Sequence, residues 1–281
     1  MTASAPRDPG RPVGLTGGGV HVVAHTGAEP RIVLIHGAMD RSTSFGRVAR
    51  HLSDLAVVRY DRRGYGRSRE LGPTDLAGHL DDLVAVVGDG PVLLVGHSVG
   101  GVIALAAPAV LPGVVGVVAY EAPMPWAPWW PTGTGARSAA GVDPAEAAER
   151  FMRRMVGDRV WARLPPSTRE HRRSEGRALR ADLDLVASGS PYDPVAVRVP
   201  VLALAGSETS WWHRRAAEEL ATLVPLGTFG LVDGAGHGAH LTHPFELAGR
   251  IRTFRHDVLA FRHDVLAPGG PARPVDPTSR G

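Results

Sequence analysis

Residues 91–111 read Pro-Val-Leu-Leu-Val-Gly-His-Ser-Val-Gly-Gly-Val-Ile-Ala-Leu-Ala-Ala-Pro-Ala-Val-Leu. An apolar run ends at Gly96, one serine follows at Ser98, and a second apolar run begins after Gly100 and Gly101. This pattern predicts a strand, a sharp turn and a helix, with Ser98 at the tip. Such a turn needs glycines on both sides of the serine, because strand and helix nearly touch there. A serine placed this way is typical of an activated nucleophile.

The rest of the chain alternates apolar strand patterns with helical patterns, which predicts an α/β fold. Continuous apolar strands indicate burial on both faces, as in a parallel sheet flanked by helices. The alternation stops between residues 123 and 192, where helical patterns follow one another without a strand. We call this range the inserted segment. Predicted strands cover residues 20–24, 31–35, 55–60, 92–95, 114–120, 199–205 and 228–232.

These patterns divide the chain into a core of residues 15–122 and 193–267 and a helical cap formed by the inserted segment. Residues 1–14 and 268–281 are predicted to be disordered arms. The sequence Phe-Arg-His-Asp-Val-Leu-Ala occurs at residues 254–260 and again at 261–267, and we expect this duplication to lengthen the last helix.

The composition excludes several classes of protein. Hydrophobic residues make up 43% and charged residues 21%, as in a globular protein. All 31 basic residues are arginine and the net charge is only +3, so we expect no nucleic-acid partner. The absence of cysteine excludes thiol catalysis and cysteine-ligated metals. Since no signal peptide or membrane-length apolar run is visible, we expect a cytoplasmic protein without membrane contact.

Four motifs, each after a predicted strand, together resemble the capped α/β-hydrolase family over about residues 18–256. The resemblance implies a mostly parallel twisted sheet flanked by helices, with a helical cap inserted above the nucleophile. The motifs are His36-Gly37, Asp61-x-Arg63-Gly64-x-Gly66-x-Ser68, Gly96-His97-Ser98-Val99-Gly100 and Gly236-His237.

The resemblance also implies roles for individual residues. Ser98 is expected to be the nucleophile and His237 its general base, without any cofactor. The amides of Ala38 and Val99 are expected to hold the oxyanion, with Met39 as the alternative to Ala38. His36 is expected to be structural.

A metal site is the competing interpretation of the histidines near the C-terminus. His237, His240 and His243 lie close in sequence, but no carboxylate completes the set at a suitable spacing. We therefore favour the general-base role for His237 and predict no metal.

The acid partner of His237 is open at the level of sequence. In most such hydrolases an aspartate stands three residues after the glycine that ends the penultimate strand, and here that position is Thr209. Glu208 lies one residue earlier. Glu121, in Tyr120-Glu121-Ala122-Pro123, ends an earlier strand, a site that some relatives use. We favour Glu121, because the strand end fixes its direction and Pro123 stiffens the chain.

The inserted segment is expected to shape the substrate pocket. Trp126, Trp129 and Trp130 are predicted to line it, with packing against the sheet as the alternative. Arginines recur at helical spacing from residue 169 to 180, which predicts one basic face. We favour the interpretation that this face is solvated, and the alternative is a docking site for an acidic substrate or carrier. These arginines are Arg169, Arg172, Arg173, Arg177 and Arg180.

The expected activity is hydrolysis of a small-molecule carboxylic ester or lactone through an acyl-enzyme. Thioester or carbon–carbon bond hydrolysis would use the same residues. From a different class, a non-hydrolytic ligand-binding receptor or a lyase can be built on the same fold. The sequence makes no prediction of the oligomeric state.

Overall fold

The computed structural model describes residues 19–132 and 141–266. The predicted disordered arms, residues 1–14 and 268–281, lie outside the described residues. A seven-stranded sheet forms the centre, in the order β1-β3-β2-β4-β5-β6-β7. Only β1 is antiparallel to its neighbour, and the other pairs are parallel. The strands are β1 (Val22–His25), β2 (Ala28–Ile35), β3 (Leu55–Tyr60), β4 (Val92–His97), β5 (Val114–Tyr120), β6 (Val201–Gly206) and β7 (Gly227–Val232).

Helices cover both faces of this sheet, as expected for strands that are apolar throughout. Every residue of the central strands β4 and β5 is buried. One face packs against α2 (Leu76–Val87), α3 (Val99–Ala106) and α8 (Trp211–Leu223). The opposite face packs against α1 (Gly46–His51) and α10 (Pro244–Leu266). The predicted fold class, a mostly parallel sheet between two helical layers, is therefore confirmed.

Four α-helices of the described chain lie between β5 and β6, namely α4 (Pro144–Val156), α5 (Asp158–Arg163), α6 (Pro166–Ser174) and α7 (Gly176–Ala187). Their apolar side chains form a small cluster that includes Trp161 and Leu179 and that reaches the core at Met39 and Tyr65. The inserted segment thus packs on the loops that follow β2 and β3.

The helical pattern of residues 167–187 predicts one helix, and this prediction is wrong, because the chain breaks at Glu175 and forms two. The Glu175 side chain is buried and turns inward, where Oε1 accepts from Arg41 at 2.8 Å and from the Gly66 amide at 2.9 Å. A side chain at Gly176 could not fit, since its Cβ would lie 1.9 Å from the Pro144 carbonyl oxygen. Inward hydrogen bonds and close packing therefore override the helical pattern.

A fully buried ion pair also joins the inserted segment to the core. Arg62, after β3, donates from both terminal nitrogens to Asp182 of α7, at 2.8 and 2.7 Å. The Tyr65 hydroxyl donates to the same carboxylate at 2.6 Å. The position of α7 is therefore tied to the loop after β3.

The last helix, α10, contains the first copy of the duplicated heptad and extends into the second. Phe254 and Val258 of the first copy are buried against the sheet, whereas Phe261 of the second copy is exposed. A small helix, α9 (Ala239–Thr242), precedes α10. None of the helices in the described ranges combines the length and apolarity needed to cross a membrane.

Candidate active site

Ser98 occupies a strained turn between β4 and α3. Its backbone has φ 54° and ψ −124°, a region that residues with side chains rarely adopt. The predicted glycine requirement has a direct steric cause. A Cβ at Gly96 would lie 2.2 Å from the Gly100 carbonyl oxygen, and one at Gly100 would lie 2.3 Å from the Ile35 carbonyl oxygen.

Glu121 lies at the end of the neighbouring strand, with its side chain fully buried. The Ser98 amide donates to the Tyr120 carbonyl at 2.9 Å, which fixes the two strand ends side by side. The Glu121 carboxylate accepts from the Gly206 amide at 2.8 Å and from the Thr209 hydroxyl at 2.9 Å. Its Oε2 also lies 2.6 Å from His237 Nδ1.

The charge state of this pair follows from its surroundings. Burial raises the pKa of Glu121, but the hydrogen bond from His237 and the nearby imidazoles outweigh it, so the pKa lies below its usual value. An ionised carboxylate can only accept, so Nδ1 of His237 carries the proton and donates. In a neutral ring with this tautomer, Nε2 carries the lone pair that a general base requires.

The loop that carries His237 is held by the residues that precede Ser98 and Glu121. The Tyr120 hydroxyl donates to the Gly236 carbonyl at 2.5 Å, and His97 Nε2 donates to the His237 carbonyl at 2.8 Å. The rings of His97 and His237 are 4.6 Å apart. The structure thus brings Ser98, Glu121 and His237 to one edge of the sheet. Within the described chain, the Ser98 hydroxyl and His237 Nε2 have no hydrogen-bond partner.

Glu208 and Thr209 have different surroundings. Glu208 is exposed, and its amide donates to the Ala235 carbonyl, so its backbone is used in the loop while its side chain faces solvent. Thr209, at the position where aspartate is usual, directs its hydroxyl to Glu121. Thr209 therefore stands at the position where the acid is usual, and it donates a hydrogen bond to Glu121 on the neighbouring strand.

The predicted oxyanion donors lie on the loop after β2 and at the start of α3. The amides of Ala38, Met39 and Val99 have no hydrogen-bond partner among the described residues. Met39 has φ 56°, so this loop turns sharply after Ala38. Both candidates for the first oxyanion donor, Ala38 and Met39, therefore keep an unpaired amide among the described residues.

His36 anchors the same loop from below. It is fully buried, and burial together with the neighbouring Arg62 guanidinium lowers its pKa to about 4. The neutral ring accepts from the Arg62 amide at Nε2, 2.9 Å away, and donates from Nδ1 to the Gly37 carbonyl, 2.8 Å away. These bonds fix the turn that precedes Ala38.

The three predicted pocket tryptophans occupy different places. The Trp126 ring lies edge-on to Tyr192 at 6.2 Å. Trp129 donates from its indole to Glu219 of α8 at 2.8 Å. Trp130 contacts the ring of His213, which in turn stacks on His237.

The histidines of the competing metal interpretation do not converge. His240 lies 3.0 Å from Asp40 and His243 lies 2.9 Å from the Thr242 hydroxyl, whereas His237 contacts Glu121. In the described chain, two other sets bring three possible ligand atoms within 4.8 Å, namely Asp40 with His97 and His240, and Glu121 with His213 and His237.

The predicted single basic face is also wrong, because the break at Glu175 places its arginines on two helices. Arg172 of α6 points inward and donates to the Met39 carbonyl at 2.8 Å. Arg173 pairs with Glu149, and Arg180 donates to the Val142 carbonyl. Because α6 and α7 pack against α4 and the core, each of these three arginines has a different partner.

His213 is the site residue that sequence reasoning missed. Its ring stacks on His237 with centroids 4.4 Å apart and planes 13° apart, and its Nδ1 lies 3.4 Å from Glu121 Oε2. A lone histidine near the start of an amphipathic helix carries no local pattern. Only the position of α8, directly after the loop with Thr209, could have suggested it.

Comparisons with known proteins identify the family of this fold. The model of the Alpha/beta hydrolase family matches residues 32–250. Part of the polyketide synthase ThaQ of Burkholderia thailandensis is 31% identical, over 82% of this chain and 12% of that protein. A putative esterase/lipase of Haemophilus influenzae is 24% identical, over 83% of this chain and 86% of that protein.

A solved structure shows the same fold. The thermophilic esterase from Thermogutta terrifontis superposes with a TM-score of 0.66 at 22% identity, over 85% of this chain and 94% of that one. The chain thus spans about an eighth of the synthase but most of the two esterase-like proteins. The family match over residues 32–250 means that this chain belongs to the Alpha/beta hydrolase family.

Proposed function

We propose that the protein is a serine hydrolase that cleaves a small-molecule carboxylic ester or lactone. In this proposal Ser98 is the nucleophile, His237 the general base and Glu121 the acid that orients it. The observation that carries the proposal is the 2.6 Å contact between Glu121 and His237, at the sheet edge where Ser98 sits in a strained turn. This arrangement supports the tautomer of His237 that can accept a proton at Nε2.

The proposed reaction has two acyl-transfer steps. The Ser98 Oγ attacks the substrate carbonyl carbon while its proton moves to His237 Nε2. The tetrahedral intermediate collapses as His237 returns that proton to the leaving alcohol, which gives the acyl-enzyme. Water then donates a proton to His237 and attacks the acyl carbon. The second tetrahedral intermediate collapses as His237 returns that proton to Ser98 Oγ, which releases the carboxylic acid.

Three features of the chain support the charge changes that these steps require. The Val99 amide, at the start of α3, and the Ala38 amide are proposed to hold the oxyanion, each contributing about 10²- to 10³-fold in rate. The Glu121 carboxylate stabilises the imidazolium that forms on His237. The Ser98 hydroxyl does not donate a hydrogen bond to His237 Nε2 in this structure. Such hydrogen bonds commonly tighten only when substrate binds.

Esters are favoured because a protein named as an esterase/lipase matches most of the chain. The match to part of a polyketide synthase favours an acyl thioester as the second candidate, which the same residues could cleave. We also propose that the inserted segment caps the site and that Trp130 contributes to the substrate pocket.

A series of p-nitrophenyl esters of increasing chain length, with matched lactones and thioesters, tests the proposal. We expect saturable turnover by the wild type and a loss of at least about 10³-fold in kcat for Ser98→Ala. Unchanged turnover in Ser98→Ala would contradict the assignment of Ser98 as the nucleophile. A wild type that binds these compounds without cleaving any of them would favour the receptor or lyase alternative.

A further inference from the structure

His213 lies against the face of the proposed base. It belongs to the first turn of α8, and its ring is nearly parallel to that of His237, with 4.4 Å between centroids. On its other side the Trp130 ring meets it nearly edge-on at 5.4 Å. The imidazole of His237 is therefore bounded on one face by an aromatic ring that is itself held in place.

The orientation of His213 is fixed by polar contacts as well. Its Nδ1 lies 3.0 Å from the hydroxyl of Ser210, the residue before α8. The same Nδ1 lies 3.4 Å from Glu121 Oε2, the oxygen that His237 contacts. The Nδ1 atoms of both histidines therefore lie beside the same carboxylate oxygen, with His237 at hydrogen-bond distance and His213 farther away.

The His213 imidazole is neutral at neutral pH. Burial, followed by the proximity of His237, lowers its pKa to about 3, although Glu121 acts in the opposite direction. A neutral ring can remain stacked on His237 when His237 becomes an imidazolium, whereas a second cation would repel it. The stack is therefore compatible with both protonation states of the base.

We propose that His213 is a positioning residue for the proposed reaction, holding the His237 ring in the plane in which Nδ1 meets Glu121 and Nε2 stays free. This inference rests on the proposed function of His237. Without the stacked ring, the His237 side chain could rotate away from Glu121, and the proton transfer from Ser98 would lose its geometry. A misplacement of about 1 Å can cost about 10²-fold in rate.

The test compares three substitutions at His213. His213→Ala and His213→Gln remove the ring, and the glutamine keeps an amide for Ser210, whereas His213→Phe keeps an aromatic face. His243→Asn is the matched control, because that histidine contacts Thr242 and not His237. Each variant is assayed for kcat and KM on an ester, for thermal unfolding, and by proton NMR for the downfield resonance of His237 Nδ1–H.

We expect Ala and Gln to lower kcat about tenfold or more, to change KM less than about twofold, and to weaken the downfield resonance. His213→Phe should recover most of the kcat and the resonance. A Gln variant with wild-type kcat and resonance would overturn the positioning role. A wild type without ester turnover would instead contradict the proposed function, whereas a resonance that is lost in Ala and Gln but kept in Phe would still support the positioning of His237 by His213.

Discussion

Ser98, Glu121 and Met39 are the non-glycine residues with positive φ in the described chain, and all three belong to the candidate site. Such conformations cost of order 1–3 kcal/mol each and persist only where the surroundings enforce them. The surroundings here are strand ends and hydrogen bonds, such as that from the Ser98 amide to the Tyr120 carbonyl. Backbone strain is thus concentrated at the proposed nucleophile, at its proposed acid and on the loop that carries Ala38 and Met39, the two candidates for one oxyanion donor.

Replacing Glu121 by glutamine should remove the charge that orients His237 while keeping the size of the side chain. We expect Glu121→Gln to lower kcat by about 10³- to 10⁴-fold, as for the loss of the acid in other triads. The matched control is Glu208→Gln, which should stay within about twofold because Glu208 is exposed. Steady-state kinetics on one ester distinguish them, and the opposite ranking would move the acid to Glu208.

Thr209 gives a second, milder test at the same scale. Thr209→Val removes one hydrogen bond to the Glu121 carboxylate but keeps the shape of the side chain. A hydrogen bond to a charged group is worth about 1.5–3 kcal/mol, so we expect kcat to fall about tenfold or more. Measured kcat equal to that of the wild type would show that this bond does not hold Glu121 in place.

Residues 96–101 allowed the position of Ser98 to be predicted, because a turn too crowded for side chains leaves a glycine pattern in the sequence. The choice between Glu121 and Glu208 could not be settled that way. It depends on where the Gly206 amide and the Thr209 hydroxyl point, which only the packing of β5 beside β6 defines. His213 carries no local signal, since its contacts to His237 and Glu121 are distant in sequence.

At the scale of elements, α6 reaches the loop that carries a candidate oxyanion donor. The Arg172 guanidinium donates to the Met39 carbonyl, and the Glu175 carboxylate accepts from Arg41 on the same loop. The loop after β2 is therefore held from both sides, by His36 below and by the inserted segment above. The arginine periodicity predicted helical structure but neither the break at Glu175 nor this role of Arg172.

We expect Arg172→Gln to loosen the Met39 turn and to lower kcat about tenfold with little change in KM, because an oxyanion donor acts mainly in the transition state. The exposed Arg177 supplies the control, and Arg177→Gln should keep the wild-type kcat. Steady-state kinetics on one ester measure both variants. Equal kcat values in the two variants would show that the Arg172 contact from α6 does not influence the reaction.

For the whole molecule, the ion pair of Arg62 and Asp182 joins the inserted segment to the core. Asp182→Asn leaves a buried guanidinium without its counter-charge, which typically costs about 3–5 kcal/mol of unfolding free energy. Asp184→Asn, at an exposed position of the same helix, should change stability by less than about 0.5 kcal/mol. Urea unfolding of both variants at neutral pH measures the difference, and similar midpoints would contradict a stabilising role.

The same pair predicts a pH dependence of stability. Burial raises the pKa of Asp182, but the Arg62 charge and hydrogen bonds outweigh it, so the folded pKa lies far below the unfolded value of 3.8. The stabilisation is then complete above pH 3.8 and is lost as the pH falls below it. We expect the stability difference between wild type and Asp182→Asn to shrink on acidification. A constant difference down to acid unfolding would contradict the pair as its source.

Covalent labelling with a fluorophosphonate probe, followed by peptide mapping, tests the central proposal most directly. We expect a single phosphonylated residue, Ser98, and a labelling rate at least about 10²-fold slower in Glu121→Gln. An unlabelled wild type, or a label on a residue other than Ser98, would contradict it.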